Sequence, residues 1–277
     1  MKNSTQLHAY KARKHAITGI FNASSGHPGG SLSIADILAV LYFEKMNIDP
    51  ENPKMADRDR FVLSKGHCAP ALYGILAERG FFPAEKCAEL RKIDSIMQGH
   101  PDMKNIPGID MSTGSLGQGI SAACGMALSA KLDKKDFKVY TILGDGEIEE
   151  GQVWEAAMFA AHYKLDNLVA FVDNNGLQID GDIAEVMSSY PIDKKFEAFG
   201  WNVITIDAHD YDQIREAIDK ANETADKPTV IIAKSIKGKG VSYMENQASW
   251  HGNAPNAEQY EQAIKELDAK IAELEQE

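Results

Sequence analysis

The strongest constraint on the fold is the stretch LGDGEIEEGQVWEAAMFAAHYKLDNLVAFVDNNGLQIDG, residues 143–181. An apolar run over 139–143 ends in Gly144-Asp145-Gly146, and a second over 168–172 ends in Asp173-Asn174-Asn175-Gly176. The segment between them has the length and composition of a helix. Two strands joined by a helix form a βαβ unit, whose crossover makes the strands parallel and brings both C-terminal ends to one edge of the sheet. Asp145 and Asn175, thirty positions apart, can therefore meet there. A carboxylate and an amide oxygen are hard donors suited to Mg2+ or Ca2+, and the adjoining glycines let backbone approach a phosphate closely. Ordinary strand-end turns use the same residue types, so the signal lies in the pairing at this spacing and not in either turn alone.

Strand and helix alternate from residue 61 onward, which predicts an α/β fold: a doubly wound, mainly parallel sheet with helices on both faces. The expected elements are a helix over 4–22, a strand over 61–63, helices over 69–79 and 84–92, and a small-residue helix over 120–131 suited to close packing, including against another subunit. Beyond the central unit come a helix over 194–199, a strand over 201–206, a helix over 211–223, a strand over 228–234 and a charged helix over 256–277. Ser33 is expected to cap the helix IADILAVLYFEK, with Asp36 completing a capping box. The stretch 98–119, rich in glycine and proline, is too long for an idle connection and reads as functional.

With 277 residues the chain can bury a substantial core. It reads as a single α/β domain over 1–277, with the first and last helices peripheral. The net charge of −12 and the lack of a basic tract argue against nucleic acid or an anionic membrane as partner. No run approaches the roughly 18–20 apolar residues of a membrane span, and the N-terminus lacks a secretory h-region. Cys68, Cys87 and Cys124 form no CxxC pair, as expected of reduced thiols in the cytoplasm.

Four of the eight histidines, His27, His67, His100 and His251, fall in glycine-containing loops. Imidazoles there can donate to anionic oxygens or exchange protons near pH 7. His8, His15 and His162 lie within expected helices and His209 beside a turn, where surface or core roles suffice.

The loops that carry those histidines form an ordered series: SGHPGGSLS (25–33), SKGHCAPALY (64–73), GHPD (99–102), TGSLGQG (113–119), GDGEIEEG (144–151) and WHG (250–252). Together they resemble transketolase, and the GDG–NN spacing resembles the thiamine diphosphate motif. By that resemblance Asp145, Asn175 and the carbonyl of Leu177 hold Mg2+ on the cofactor's diphosphate; the ligand types alone accept Ca2+ as well. Gly144 and Gly146 belong to the diphosphate seat, and Gly114 and Leu116 hold the aminopyrimidine through backbone. His67 and His251 contact the diphosphate and the reacting centre, while His27 and His100 contact sugar hydroxyl or carbonyl groups. Glu150 resembles the family's subunit-interface glutamate; the plainer reading is a solvated acid in the Glu147–Glu149–Glu150 cluster, favoured by a helix N-terminus. Lys65 and the loop 237–239 depart from the commonest family pattern.

Transketolases run past twice this length. The resemblance therefore implies the N-terminal, diphosphate-binding subunit of a split enzyme. A C-terminal, pyrimidine-binding subunit is expected to supply the activating glutamate, with two copies of each chain in the assembly. The implied activity is transfer of a two-carbon ketol unit from a ketose phosphate to an aldose phosphate. The alternatives are a subunit of another thiamine diphosphate enzyme, of the 2-oxo-acid dehydrogenase α-chain or deoxyxylulose-phosphate synthase type, or a non-catalytic cofactor-binding subunit.

Overall fold

The computed structural model describes residues 2–276; Met1 and Glu277, the outermost residues of the domain expected over 1–277 and, for Glu277, of the last helix, lie outside the described residues. The strands are β1 (Arg60–Leu63), β2 (Val139–Gly144), β3 (Leu168–Asn174), β4 (Leu177–Gln178), β5 (Gly181–Asp182), β6 (Asn202–Asp207) and β7 (Thr229–Lys234). Five of them form one parallel sheet in the order β1-β2-β3-β7-β6, and β4 and β5 pair as a small antiparallel hairpin. The α-helices are α1 (Lys2–Ala23), α2 (Pro28–Ser33), α3 (Ala35–Val40), α4 (Ala69–Arg79), α5 (Gln118–Leu132), α6 (Gly151–His162), α7 (Ile183–Val186), α8 (Ile192–Ala198), α9 (Tyr211–Glu223) and α10 (Ala257–Leu274).

The sheet strands read as near-continuous apolar runs because both faces are covered, as parallel sheets require. Successive side chains separate to opposite sides. Tyr140, Ile142, Val169 and Phe171 pack with residues of α3, α4 and α9, such as Ile37, Leu72 and Ile218. Val139, Leu143, Leu168, Ala170 and Val172 pack with α5, α6 and α8 through Ile120, Val153 and Phe196. Burying one such side chain fully stabilises the fold by roughly 1.5–3 kcal/mol. A third cluster joins Ile17 of α1 and Leu267 of α10 to Val241 and Met244, and so fastens the segment after β7 to the body.

The expected βαβ unit is β2–α6–β3. Its register pairs Gly144 with Asp173, which sets Asp145 directly beside the Asp173–Asn175 turn. Asn256 caps α10 in a reciprocal box with Gln259.

Two local expectations fail. Ser33 does not open a helix: Pro28, in the first turn of α2, starts the helix earlier, and Ser33 ends it. The Ser33 hydroxyl instead donates to the Gly30 carbonyl and to Asp173 Oδ2, and Asp36 is taken by Arg13. The helix expected over 84–92 is a short 3-10 segment, Ala84–Glu89, followed by Arg91 at φ 57 and Asp94 at φ 65, a left-handed backbone that no α-helix continues through.

Candidate active site

Because the sheet is parallel, the loops after β1, β2, β3 and β7 open on one edge. There they enclose a cavity of about 280 Å³, lined among others by Lys65, His67, Leu116, Asp145, Asn175 and Leu177. The loop after β2 supplies Asp145, which is 2% exposed. Its Oδ2 accepts the Gly176 N–H at 2.7 Å and its Oδ1 the Gly146 N–H at 3.0 Å, so the two turns of the motif hold each other. Asn175 Oδ1 accepts the Leu177 N–H at 3.1 Å, and its Nδ2 donates to Asp173 Oδ2 at 3.1 Å. Burial first, and then Asp173, push the Asp145 carboxyl up to about 7.

Two buried lysines face these acids. Lys65 Nζ donates to Asp173 Oδ2 and to the Gly30 carbonyl. Burial works against its charge, but the Asp173 carboxylate lifts its pKa above the usual lysine value. Asp173 in turn is disfavoured by burial but held below the ordinary carboxyl range by Lys65 and by the hydroxyls of Ser235 and Ser33. Lys237 Nζ donates to the Leu177 carbonyl at 2.9 Å and to His251 Nδ1 at 3.1 Å, which leaves the neutral His251 ring with its proton on Nε2. Burial and the neighbouring Lys65 lower the Lys237 pKa.

The four loop histidines converge. The His27 ring lies 5.2 Å from that of His67, 5.8 Å from His251 and 6.4 Å from His100, and His67 and His251 stack at 5.2 Å. Burial and nearby cations lower all four: His27 to about 4, His251 to about 3, His67 well below its ordinary value, and His100 by burial and Arg91. At neutral pH these rings are neutral hydrogen-bonding groups, and the cations that lower them are Lys65, Lys237 and Arg91. His27 Nδ1 is buried and has no partner among the described residues. Such an atom costs free energy unless a ligand satisfies it.

Glu147 is the main feature that sequence reasoning missed. It is 3% exposed, not a solvated helix-start acid. Its Oε1 accepts from Ser64 Oγ (2.5 Å) and the Gly117 N–H (3.0 Å), and its Oε2 accepts the Gly144 N–H (2.9 Å). One carboxylate thereby ties the end of β1, the loop 113–117 and the GDG turn together. Gly114 lies against His100: a Cβ there would stand 3.0 Å from His100 Cδ2. Glu150 is not in the cavity. It is exposed at the start of α6, and a Cβ on Gly117 would stand 2.9 Å from its own Cβ.

The donor set fits a divalent cation carried on a diphosphate. A carboxylate, an amide oxygen and a backbone carbonyl are hard ligands, and a cation there would favour the ionised Asp145 against the burial and the Asp173 charge that raise its pKa. At Gly146 the nearest atom to an added Cβ is Gln178 Cβ at 3.4 Å, so the bare backbone is open to close approach by a phosphate.

The sequence profile described as transketolase, thiamine diphosphate binding domain, matches residues 4–273. The chain is 45% identical over 272 residues to an apulose-4-phosphate transketolase subunit of Phocaeicola vulgatus, covering 98% of this chain and 96% of that one. It is 47% identical over 267 residues to the 6-deoxy-6-sulfo-D-fructose transketolase subunit SqwG of a Clostridium species, covering 96% and 97%. The crystal structure of transketolase from Campylobacter jejuni superposes with a TM-score of 0.86 at 31% identity over 100% of this chain; the chain spans 48% of that structure, about half its length. No helix among the described residues is long and apolar enough to cross a membrane.

Proposed function

The chain belongs to the transketolase thiamine diphosphate binding domain family, and we propose that it is the diphosphate-binding subunit of a split transketolase that moves a two-carbon ketol unit between sugar phosphates. The observation that carries this reading is the convergence of Asp145, Asn175 and the Leu177 carbonyl with four neutral histidines and two buried lysines at one sheet edge. Similarity to two proteins named as transketolase subunits, over nearly the whole length of each, supports it. We read the whole chain as one cofactor-binding unit of a cytoplasmic enzyme of pentose phosphate metabolism.

In this reading Asp145, Asn175 and the Leu177 carbonyl hold Mg2+, and Lys65, Lys237, His67 and Gly144–Gly146 face the diphosphate. Gly114 and Leu116 offer backbone to the aminopyrimidine. Thiamine diphosphate, when bound, supplies the carbanion chemistry that breaks and forms the carbon–carbon bond. This chain's residues seat it and exclude water. His251, with its proton on Nε2, is a donor toward the reacting centre, and the unpartnered Nδ1 of His27 receives a sugar hydroxyl. His100, whose ring is 6.4 Å from that of His27, bonds the same sugar. Leu116 and Ile179 line the cavity yet are 37% and 63% exposed. That open rim suits a cofactor whose far half is covered by a second polypeptide, which would bring the activating glutamate and meet Glu150 across the interface. Two copies of each chain form the assembly.

The test is a paired assay with thiamine diphosphate, Mg2+ and a ketose–aldose phosphate pair, run on the chain alone and with the pyrimidine-binding subunit encoded in the same source. Turnover only in the mixture is expected. Turnover by the chain alone would overturn partner dependence, and carbon dioxide release from a 2-oxo acid would overturn the reaction class.

A further inference from the structure

Beside the cavity, on the α9 side of the sheet, lies a buried polar network. Asp36 takes both terminal nitrogens of Arg13, at 2.9 and 2.6 Å, the hydroxyl of Tyr211 at 2.5 Å, and His209 Nδ1 at 2.8 Å. Arg13 and Asp36 are 0% and 3% exposed. Four donors on one buried carboxylate satisfy it fully, so the network is already stable as a core element.

One further bond is not needed for that purpose. The backbone N–H of Ile236 donates to His209 Nε2 at 2.9 Å. An amide nitrogen can only donate, so Nε2 is unprotonated and the ring proton sits on Nδ1, where it donates to Asp36. The histidine therefore connects the core network to one particular amide in the segment after β7.

That amide stands between two residues of the site. The Ser235 N–H donates to the Asn174 carbonyl at 3.2 Å and its hydroxyl donates to Asp173 Oδ1. Lys237 reaches the Leu177 carbonyl and His251. Further along, the Gly238 N–H donates to the Gly29 carbonyl at 2.9 Å, beside the His27 loop. The segment that delivers Lys237 and His251 thus leaves the sheet through a point whose amide is held by the His209 ring.

We infer that His209 is a positioning residue for the cofactor seat: as the neutral Nδ1–H tautomer it holds the Ile236 amide and so fixes where Lys237 and His251 stand. This rests on the reading of the cavity as a diphosphate seat. The effect on that seat runs through the backbone, as for an outer-shell partner of a metal or cofactor ligand.

Two substitutions divide the bonds of the ring. In His209→Asn the amide reaches Asp36 but is too short for Ile236. In His209→Gln the longer side chain carries its oxygen to the Ile236 N–H. The measurements are the dissociation constant of thiamine diphosphate with Mg2+, by calorimetry below each melting point on the full chain reconstituted with the pyrimidine-binding subunit, and amide hydrogen exchange across residues 235–237 on the chain itself. His209→Asn is expected to weaken cofactor binding by about 10- to 100-fold and to speed exchange at Ile236. His209→Gln is expected to stay near the parent in both. A role through Asp36 alone would reverse that order, and such a reversal, or a parent-like His209→Asn, would overturn the inference. If the reconstituted parent bound no thiamine diphosphate, the cofactor reading would fall, while the exchange rates would still decide whether His209 holds the amide.

Discussion

Lys237 Nζ lies 2.9 Å from the carbonyl oxygen of Leu177. The contact places a buried ammonium group against the same backbone oxygen that the family resemblance makes a metal ligand, and within the field of a second buried cation, Lys65. A side chain in that position is costly to the free protein and useful to an anionic ligand.

Lys237→Met therefore separates stability from binding. The substitution keeps length and apolar volume, and the repulsion with Lys65 that it removes offsets the donor lost at the Leu177 carbonyl and His251 Nδ1, so the melting temperature of the free chain is expected to hold or rise. A hydrogen bond to a charged group is worth about 1.5–3 kcal/mol, so affinity for thiamine diphosphate with Mg2+ is expected to fall roughly 10- to 100-fold. Calorimetry beside a thermal melt checks both signs. A loss of melting temperature with unchanged affinity would make Lys237 a structural residue.

The Asp145 carboxyl makes cofactor binding depend on pH. Burial and Asp173 raise its pKa from 3.8 to about 7 in the folded chain. The folded state thus favours the protonated form: this contribution to stability is present at acid pH and is lost as pH rises from the ordinary carboxyl range through about 7. Metal coordination needs the carboxylate, so binding must release a proton below about pH 7. Affinity for the Mg2+–cofactor pair is expected to tighten toward tenfold per unit as pH approaches 7 from below, then level off. Calorimetry in buffers of different ionisation enthalpy counts the proton; no proton release at pH 6 would remove Asp145 from the metal.

Glu147 predicts a loss on a different axis. Its carboxylate satisfies the Ser64 hydroxyl and the Gly117 and Gly144 amides. Alanine leaves three donors without an acceptor, two of them buried and the Gly144 amide partly so, each buried one worth about 1–3 kcal/mol. Glu147→Ala is expected to lower unfolding free energy in urea by at least about 3 kcal/mol, and Glu147→Gln by clearly less, because one oxygen remains. Equal effects of the two would mean that the clamp contributes little.

How far the site was legible in the sequence follows from the range of each interaction. The β2–α6–β3 unit and its two turns were readable because hydrophobic period and turn chemistry act locally, and parallel geometry then brings Asp145 to Asn175. The loop histidines were readable through their glycine neighbours. Ser33, Glu147 and His209 were not, because the partners that define them lie 140, 30 and 173 positions away. Ser33 has the local chemistry of a cap, but Pro28 had already started the helix. Glu147 sits among three acids, and only the folded loops select the one that turns inward. The helix expected over 84–92 was composed like a helix and was overruled by tertiary packing and by the left-handed turn at Arg91.

His100 should separate cofactor from sugar. Its ring is 6.4 Å from that of His27, and the Tyr73 hydroxyl, 2.9 Å from the carbonyl oxygens of Gln98 and His100, steadies its loop. It is not among the residues that line the cavity with Asp145 and Asn175. His100→Ala is expected to leave the cofactor dissociation constant near the parent value and to lower kcat/KM for the donor sugar by about 10- to 100-fold, the range of one or two lost hydrogen bonds. Steady-state kinetics of the reconstituted enzyme checks this, and a defect confined to cofactor binding would reassign the residue.

Two glycines make a last, paired prediction. A Cβ on Gly66 would stand 2.7 Å from the Gly114 nitrogen, 2.7 Å from Thr113 Oγ1 and 2.8 Å from the Thr113 carbonyl carbon. Backbone cannot yield as a side-chain tip can, so Gly66→Ala must push the 113–116 loop away from the β1 end. That loop carries Leu116 into the cavity, and cofactor affinity is expected to fall with it. Gly125, on the exposed side of α5, has nothing within 4 Å of an added Cβ. Within a helix, alanine there should stabilise the isolated chain by about 1 kcal/mol, read as a higher urea midpoint with unchanged cofactor binding. A Gly66→Ala chain that binds the cofactor as well as Gly125→Ala does would mean that the 113–116 backbone is not part of the seat.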